Sequence, residues 1–495
     1  MTKPMKWIRN IVMAILALLL ILFIMMKVFV GAVNTPIPGK EFDVTAVGTR
    51  ITVPDGFSIG LYADNVENAR LLTFTRNGDL LVANTNLDQI VLLERDANGD
   101  GKADGQRVLI DQLNGPNGMD FLDDWLYIAE TDAIGRIKFD HENGTTIGNY
   151  ERIVTGLPAG GNHWRKTLRF GPDGLMYVTM GSSCNVCEEE DERRGTMVRY
   201  NPDGSNEEIF ARGLRNSAGF DWSPVDGQIY ATDNGRDLLG DDFPHCELNK
   251  VEQGNHYGWP YANDDKLADP DFGEGNEAIV ASSIAPTFKF QPHNAPLGIT
   301  FIRGDSFPEE YHNVAIVALH GSWNRSQKDG YKVVTLHTDE NNRVFEKDFL
   351  SGLLQGDDAI GRPADVTEGP DGAIYISDDY ANVIYRVAYA EAQTAVVLPT
   401  SKSSFDANET LATIDPEKKS TLLAEGADLY AQFQCSTCHA DTGEGMKPLE
   451  SIGEKYDIEG LTKFIARPNP PMPIYPLTDD QRTSLSVFLI ESYSK

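Results

Sequence analysis

RFGPDGLMYVTMG, residues 169–181, reads as two short strands joined at a tight turn. One apolar run ends at Phe170, Gly171-Pro172-Asp173-Gly174 reverses the chain, and Met176-Tyr177-Val178 opens a second run. Asp-Gly between such runs is a strong hairpin signal. The phrase recurs as FTRNGDLLVANT (74–85), MDFLDDWLYIAET (119–131), DWSPVDGQIYATDNG (221–235), SFPEEYHNVAIVALHG (306–321) and EGPDGAIYISDD (368–379). The central residues of the six copies are Val82, Tyr127, Val178, Tyr230, Val317 and Tyr375, spaced 45 to 87 residues apart. Six related units predict an all-β six-bladed β-propeller over 45–391, in which each four-stranded blade packs only on its neighbours. A β-sandwich is the weaker account of so many units. The uneven spacing requires long inserts, and propeller inserts line one mouth.

Outward from the propeller, both ends change character. Ile11 to Met26 is an unbroken apolar run, preceded by Lys3, Lys6 and Arg9. It is just long enough to span a bilayer, and the preceding charges favour a cytoplasmic N-terminus. Residues 1–33 are therefore expected to be a transmembrane signal anchor. Cleavage after Val30-Gly31-Ala32 is the competing reading. Both place the bulk of the chain outside the cytoplasm, on the periplasmic side of a bacterial inner membrane. The 495 residues carry a net charge of −31, which repels phosphate backbones and speaks against nucleic acid as a partner.

Residues 392–420, rich in Ala, Ser, Thr and charge, read as a linker. From 421 the pattern turns helical: LLAEGADLYAQFQ, IEGLTKFIA and DDQRTSLSVFLIESY, with Asp479 and Asp480 suited to a first helical turn. Between the first two lies Cys435-Ser-Thr-Cys438-His439. Two thiols three apart can bond a haem covalently, and the adjacent histidine can ligate its iron. Residues 421–495 are thus expected to be a small all-α cytochrome c domain. Met472, in NPPMPIY, is the expected second axial ligand, with Met446 as the alternative.

Two further motifs carry cation or sulfur chemistry. DANGDGKAD (96–104) places Asp96, Asn98, Asp100, Lys102 and Asp104 at calcium-loop positions, but Arg107 stands where the bidentate Glu belongs. Structural calcium and a solvated acidic turn both remain open. Cys184 and Cys187 form a second CxxC without a following histidine, read as a local disulfide or as a metal or redox pair. Cys246 is left over.

Polar segments interrupt the strand pattern at blade ends: 160–165, 213–219, 233–249, 254–261, 293–298, 320–326 and 361–366. They supply His163, Arg215, Asn216, His293, Trp323, Arg325 and Arg362. Arginines and imidazoles at one mouth suit an anionic ligand.

NHWRKTLRFGPDGLMYV, GSSCNVCEE, GLRNSAGFDWSP, NGRDLLGDDFPHCELN, GNHYGWPY, HGSWNRS and GRPADV resemble the glucose/sorbosone dehydrogenase family over about 50–390. The family's members are six-bladed propellers that use pyrroloquinoline quinone (PQQ). The helical tail resembles class I cytochromes c. The resemblance implies that His163 is the catalytic base and that Arg215, Asn216, Arg362 and Arg70 hold PQQ. It also implies that Gly235 and Arg236 give backbone oxygens to a calcium at PQQ. Three positions depart from the soluble glucose dehydrogenases. Asn162 replaces an acid, Asn324 a PQQ-binding lysine and Ala364 a second arginine, which brings the chain nearer the sorbosone-type branch. The expected activity is oxidation of a sugar or sugar-derived aldehyde or alcohol, with electrons leaving through haem c to a respiratory acceptor. A non-catalytic carbohydrate- or protein-binding propeller is the rival reading.

Overall fold

A computed structural model describes residues 42–341 and 343–389, with Asn34, and in the C-terminal part 411, 414–433, 435–437, 439, 449, 452, 458–466, 475 and 477–493. The expected membrane segment, 1–33, lies outside the described residues. Among those described, no helix is long and apolar enough to cross a membrane.

Six four-stranded antiparallel sheets follow one another along the chain. Five are built in sequence order, with innermost strands Ala69–Phe74, Met119–Leu122, Lys166–Phe170, Phe220–Trp222 and Pro296–Phe301. The sixth takes Pro363–Glu368, Ile374–Asp378 and Val383–Tyr389, and borrows Phe57–Ala63 from the start of the chain as its outermost strand. Phe57 pairs with Tyr389 and Ile59 with Val387, so the ring closes by a joint between its two ends. The six residues central to the repeated phrase all fall on the second strand of a blade.

The second strands are almost wholly buried, as in Met176–Met180 and Ala315–Leu319, because a neighbouring blade covers each face. An outer strand such as Thr145–Thr155 is mostly exposed. The repeated turn has a common build. In blades 3 and 6, Gly174 and Gly372 take positive φ of 75° and 74°, which a side chain would strain. Asp173 accepts from Tyr177 Oη at 2.9 Å and Asp371 from Tyr375 Oη at 2.9 Å. Asp226 repeats the bond to Tyr230 in blade 4 at 3.2 Å. One blade is tied to the next by buried carboxylates near the axis. Asp120 accepts from Phe170 N, Asp221 from Phe301 N and Asp365 from Leu72 N, each at 2.8 Å.

The C-terminal part is a separate unit. Its helices Pro416–Gln432, Ile458–Ala466 and Asp479–Tyr493 enclose Leu429, Leu461, Ile465, Leu485 and Ile490. The first helix begins at Pro416, inside the segment expected to be linker, and Leu411 already contributes to this core. The reason is local. Asp415 accepts from Lys418 N and so supplies an N-terminal cap ahead of Pro416.

Candidate functional site

All six innermost strands run the same way, so their N-terminal ends meet at one face of the ring. The segments between second and third strands end at that face too: 181–195, 234–245, 320–331 and 379–382. There lies a cavity lined by Arg70, Leu71, Asn117, Asn162, His163, Trp164, Arg165, Thr167, Asn216, Ala218, Leu297 and Ala364. Every blade contributes. No carboxylate is among the lining residues, although the chain as a whole carries −31.

His163 lines this cavity and hydrogen-bonds Ser182 Oγ through Nδ1 at 2.8 Å. Burial, then the nearby Arg215 guanidinium, pulls its pKa down to about 3. A histidine whose pKa is depressed in this way stays neutral at ordinary pH, so its ring keeps a lone pair free to accept a proton. Arg70 lines the cavity and pairs with Asp379 at 2.6 Å, and His320 holds the same carboxylate at 2.8 Å. Burial acts to raise the Asp379 pKa, but His320 and Arg70 outweigh it and hold the carboxyl far below its usual range.

Arg165 is a lining residue that the motif reading passed over. It stacks on Trp164 at 4.4 Å, and its Nε is buried without a hydrogen-bond partner. No carboxylate pairs with it among the described residues, and burial and Arg70 both pull its pKa down. A cavity-lining guanidinium with an unsatisfied donor is what an anionic ligand would satisfy. The signal was in the phrase NHWRK, two residues past His163.

Other expected residues stand further back. Asn216 lines the cavity, but Arg215 is almost wholly buried and spent on protein partners. It donates to Asn185 O, Asn185 Oδ1, Asn234 O, Gly235 O and Asp237 Oδ2. Gly235 and Arg236 line a second, smaller cavity with Asp233 and Glu247. The Gly235 carbonyl already accepts from Arg215 Nη1 at 2.8 Å, and the Arg236 side chain is fixed by Asp269 and Asp271. A cation at the Gly235 carbonyl would stand beside the Arg215 guanidinium. His293 is buried, with Nε2 on Gly240 O at 2.8 Å and Nδ1 3.7 Å from Asp237. Arg362 donates to His320 O and Gly321 O. Arg325 donates to Asp241 O, and Trp323 is a partly exposed rim residue whose carbonyl accepts from Asn34 N.

The 96–104 loop closes on itself. Asp96 accepts from Gly99 N and Gly101 N, Asp100 from Lys102 N, and Asp104 from Ala97 N and Asn98 Nδ2. Asp96, Asp100 and Asp104 do not converge as a metal-ligand group. Among the described residues the one converging group is Cys184, Cys187 and Glu189. Its two sulfurs are joined as a disulfide, which removes the metal reading. In the C-terminal unit Cys435–Thr437 forms a 3₁₀ turn, and His439 N donates to Cys435 O at 3.0 Å. Cys438, Met472 and Met446 lie outside the described residues.

The sequence model described as Glucose / Sorbosone dehydrogenase matches residues 126–386, more than half of the chain. The chain belongs to the glucose/sorbosone dehydrogenase family. An uncharacterised protein of Borreliella burgdorferi is 33% identical over 360 residues, 69% of this chain and 92% of that one. Two solved structures share the propeller. The calcium structure of a Trichoderma reesei carbohydrate-active enzyme of family AA12 has a TM-score of 0.60 at 19% identity, over 68% of this chain and 97% of that one. The holo form of the pyranose dehydrogenase PQQ domain from Coprinopsis cinerea has a TM-score of 0.59 at 19% identity, over 71% and 98%. Residues 421–489 match the model described as Cytochrome C oxidase, cbb3-type, subunit III. This glucose/sorbosone dehydrogenase propeller is therefore joined to a cytochrome c domain, a pairing that makes the chain an electron-transfer oxidoreductase.

Proposed function

We propose that the chain is a membrane-anchored quinohaemoprotein dehydrogenase facing the periplasm. In this reading PQQ occupies the six-blade cavity and a sugar or sugar-derived aldehyde or alcohol is oxidised there. Haem c then passes the electrons to a respiratory acceptor. The observation that carries the reading is the lining of the cavity: two arginines, one neutral imidazole and no carboxylate. That set fits a flat ring acid bearing several carboxylates. Arg70 and Arg165 would meet its carboxylates, Asn216 and Asn162 would hydrogen-bond its edge, and Trp164 would wall it. Arg215 acts from behind, ordering the segments at 185 and 234–237. His163 would receive the substrate hydroxyl proton. When bound, PQQ supplies a two-electron acceptor. Calcium beside PQQ belongs to the reading through the resemblance and calcium at 96–104 through the spacing of that loop's oxygen ligands, and no step is routed through either.

The test uses the haem-loaded full chain. PQQ, with and without calcium, is added with a panel of aldoses and aldehydes, and haem reduction is followed optically. Reduction that requires both PQQ and one substrate is expected. Failure to bind PQQ would favour the rival binding propeller. A His163→Ala variant with undiminished turnover would remove the base assignment.

A further inference from the structure

Ser182 follows the second strand of blade 3 and is fully buried. Its Oγ lies 2.8 Å from His163 Nδ1 and 2.8 Å from the Cys184 carbonyl oxygen. A hydroxyl has one proton and a carbonyl can only accept. The proton therefore goes to Cys184 O, since two facing lone pairs would repel. Ser182 Oγ is then the acceptor toward His163, and Nδ1 must carry the hydrogen. A neutral imidazole has one N–H, so Nε2 is left with its lone pair. No hydrogen bond reaches Nε2 among the described residues, and the ring lines the central cavity.

The Cys184 carbonyl that anchors this chain is itself held. Cys184 and Cys187 are bonded across a separation of three residues, which closes a small loop. Asn185 inside it donates to Asp237 O, and its Oδ1 accepts from Asp237 N and Arg215 Nη2. Ser183, just before it, is gripped through N and Oγ by the Glu189 carboxylate at 2.6 and 2.7 Å. The His163 backbone joins the same unit through its N–H to Ser182 O at 3.1 Å.

We propose that Ser182 is a positioning residue, which the disulfide-closed loop holds through the Cys184 carbonyl so that His163 keeps the Nδ1–H tautomer and presents Nε2 as the proton acceptor. The inference rests on the reading of His163 as the base. In the proton step the substrate O–H breaks and Nε2–H forms, while Nδ1–H stays on Ser182 Oγ. A serine does this without a charge. The imidazolium that forms therefore gains no partner carboxylate from this side.

Nitrogen-15 NMR of the histidine-labelled, haem-loaded full chain tests the assignment, with His163→Gln identifying the resonance. The wild type is expected to show a protonated Nδ1 and a pyridine-like Nε2 in the neutral state. Ser182→Ala should shift the ring toward the Nε2–H form, and Ser182→Thr should restore Nδ1–H. Turnover in Ser182→Ala should fall about tenfold to hundredfold, a part of what a general base contributes, with PQQ affinity unchanged. If Ser182→Ala does not fold, the Cys184→Ser/Cys187→Ser pair frees the same carbonyl and should mix the tautomers. A wild-type Nε2–H form, or an Nδ1–H form that survives in Ser182→Ala, would overturn the proposal. Failure of the underlying reading shows differently, as undiminished turnover in His163→Gln whatever the tautomer.

Discussion

Charge at single residues sets what the cavity can hold. Arg165 gives up bulk water without gaining a carboxylate, and its buried Nε has no protein acceptor. Arg165→Gln should raise the PQQ dissociation constant about tenfold to hundredfold, the weight of one or two charge-assisted hydrogen bonds. Equilibrium dialysis measures it, and thermal stability should not fall. His163 sits at the opposite extreme, neutral because burial and Arg215 disfavour its charge. Its folded pKa is depressed, so between about pH 7 and 5 it should stay unprotonated in the cofactor-free protein. Adding PQQ brings negative charge and should move that titration upward, which the same nitrogen spectra record. That His163 lines the cavity was legible in the sequence because its phrase is long and ordered. Ser182 was not, because a serine after a strand carries no signal until the structure places it 2.8 Å from a ring nitrogen.

Paired elements explain a different pH response. On neighbouring strands of blade 4, Asp233 stands directly opposite Glu247, and both are buried. Burial raises the Glu247 pKa to about 8, with Asp233 adding to it, and raises that of Asp233 to about 7. A carboxyl whose folded pKa lies above its unfolded value binds more protons when folded. Its contribution is full below the unfolded pKa and is lost as pH rises through the folded one. The melting temperature should therefore fall between about pH 5 and 9. Glu247→Gln should flatten that slope by on the order of a few degrees, measured by calorimetry. The strands themselves were legible, since an apolar run marks the second strand of every blade and an Asp-Gly turn precedes it in blades 3, 4 and 6. The start of the first C-terminal helix was not, because the charged segment before Leu422 has the composition of a linker and only its cap at Asp415 sets the boundary.

Over the whole molecule the charge is strongly negative while the cavity lining is positive. Electron transfer to a cationic acceptor should slow as ionic strength rises, and transfer to ferricyanide should quicken, because screening removes attraction in one case and repulsion in the other. Stopped-flow oxidation of the reduced haem at two salt concentrations distinguishes them. The six-fold architecture was legible from one repeated phrase. The joint that closes it was not, because Phe57–Ala63 pairs with Val383–Tyr389 at a separation near 330 residues, beyond any local pattern. That joint also sets a timetable. A ribosome makes the outermost strand of blade 6 before any other strand of the ring, and its partner strand last. Until residue 389 has emerged, five blades can assemble while that first strand waits as a bare edge. Non-local pairing of this kind is slow to form. The haem-binding segment is made only after the closing strand, so chain order lets the ring be finished before the cytochrome begins to fold.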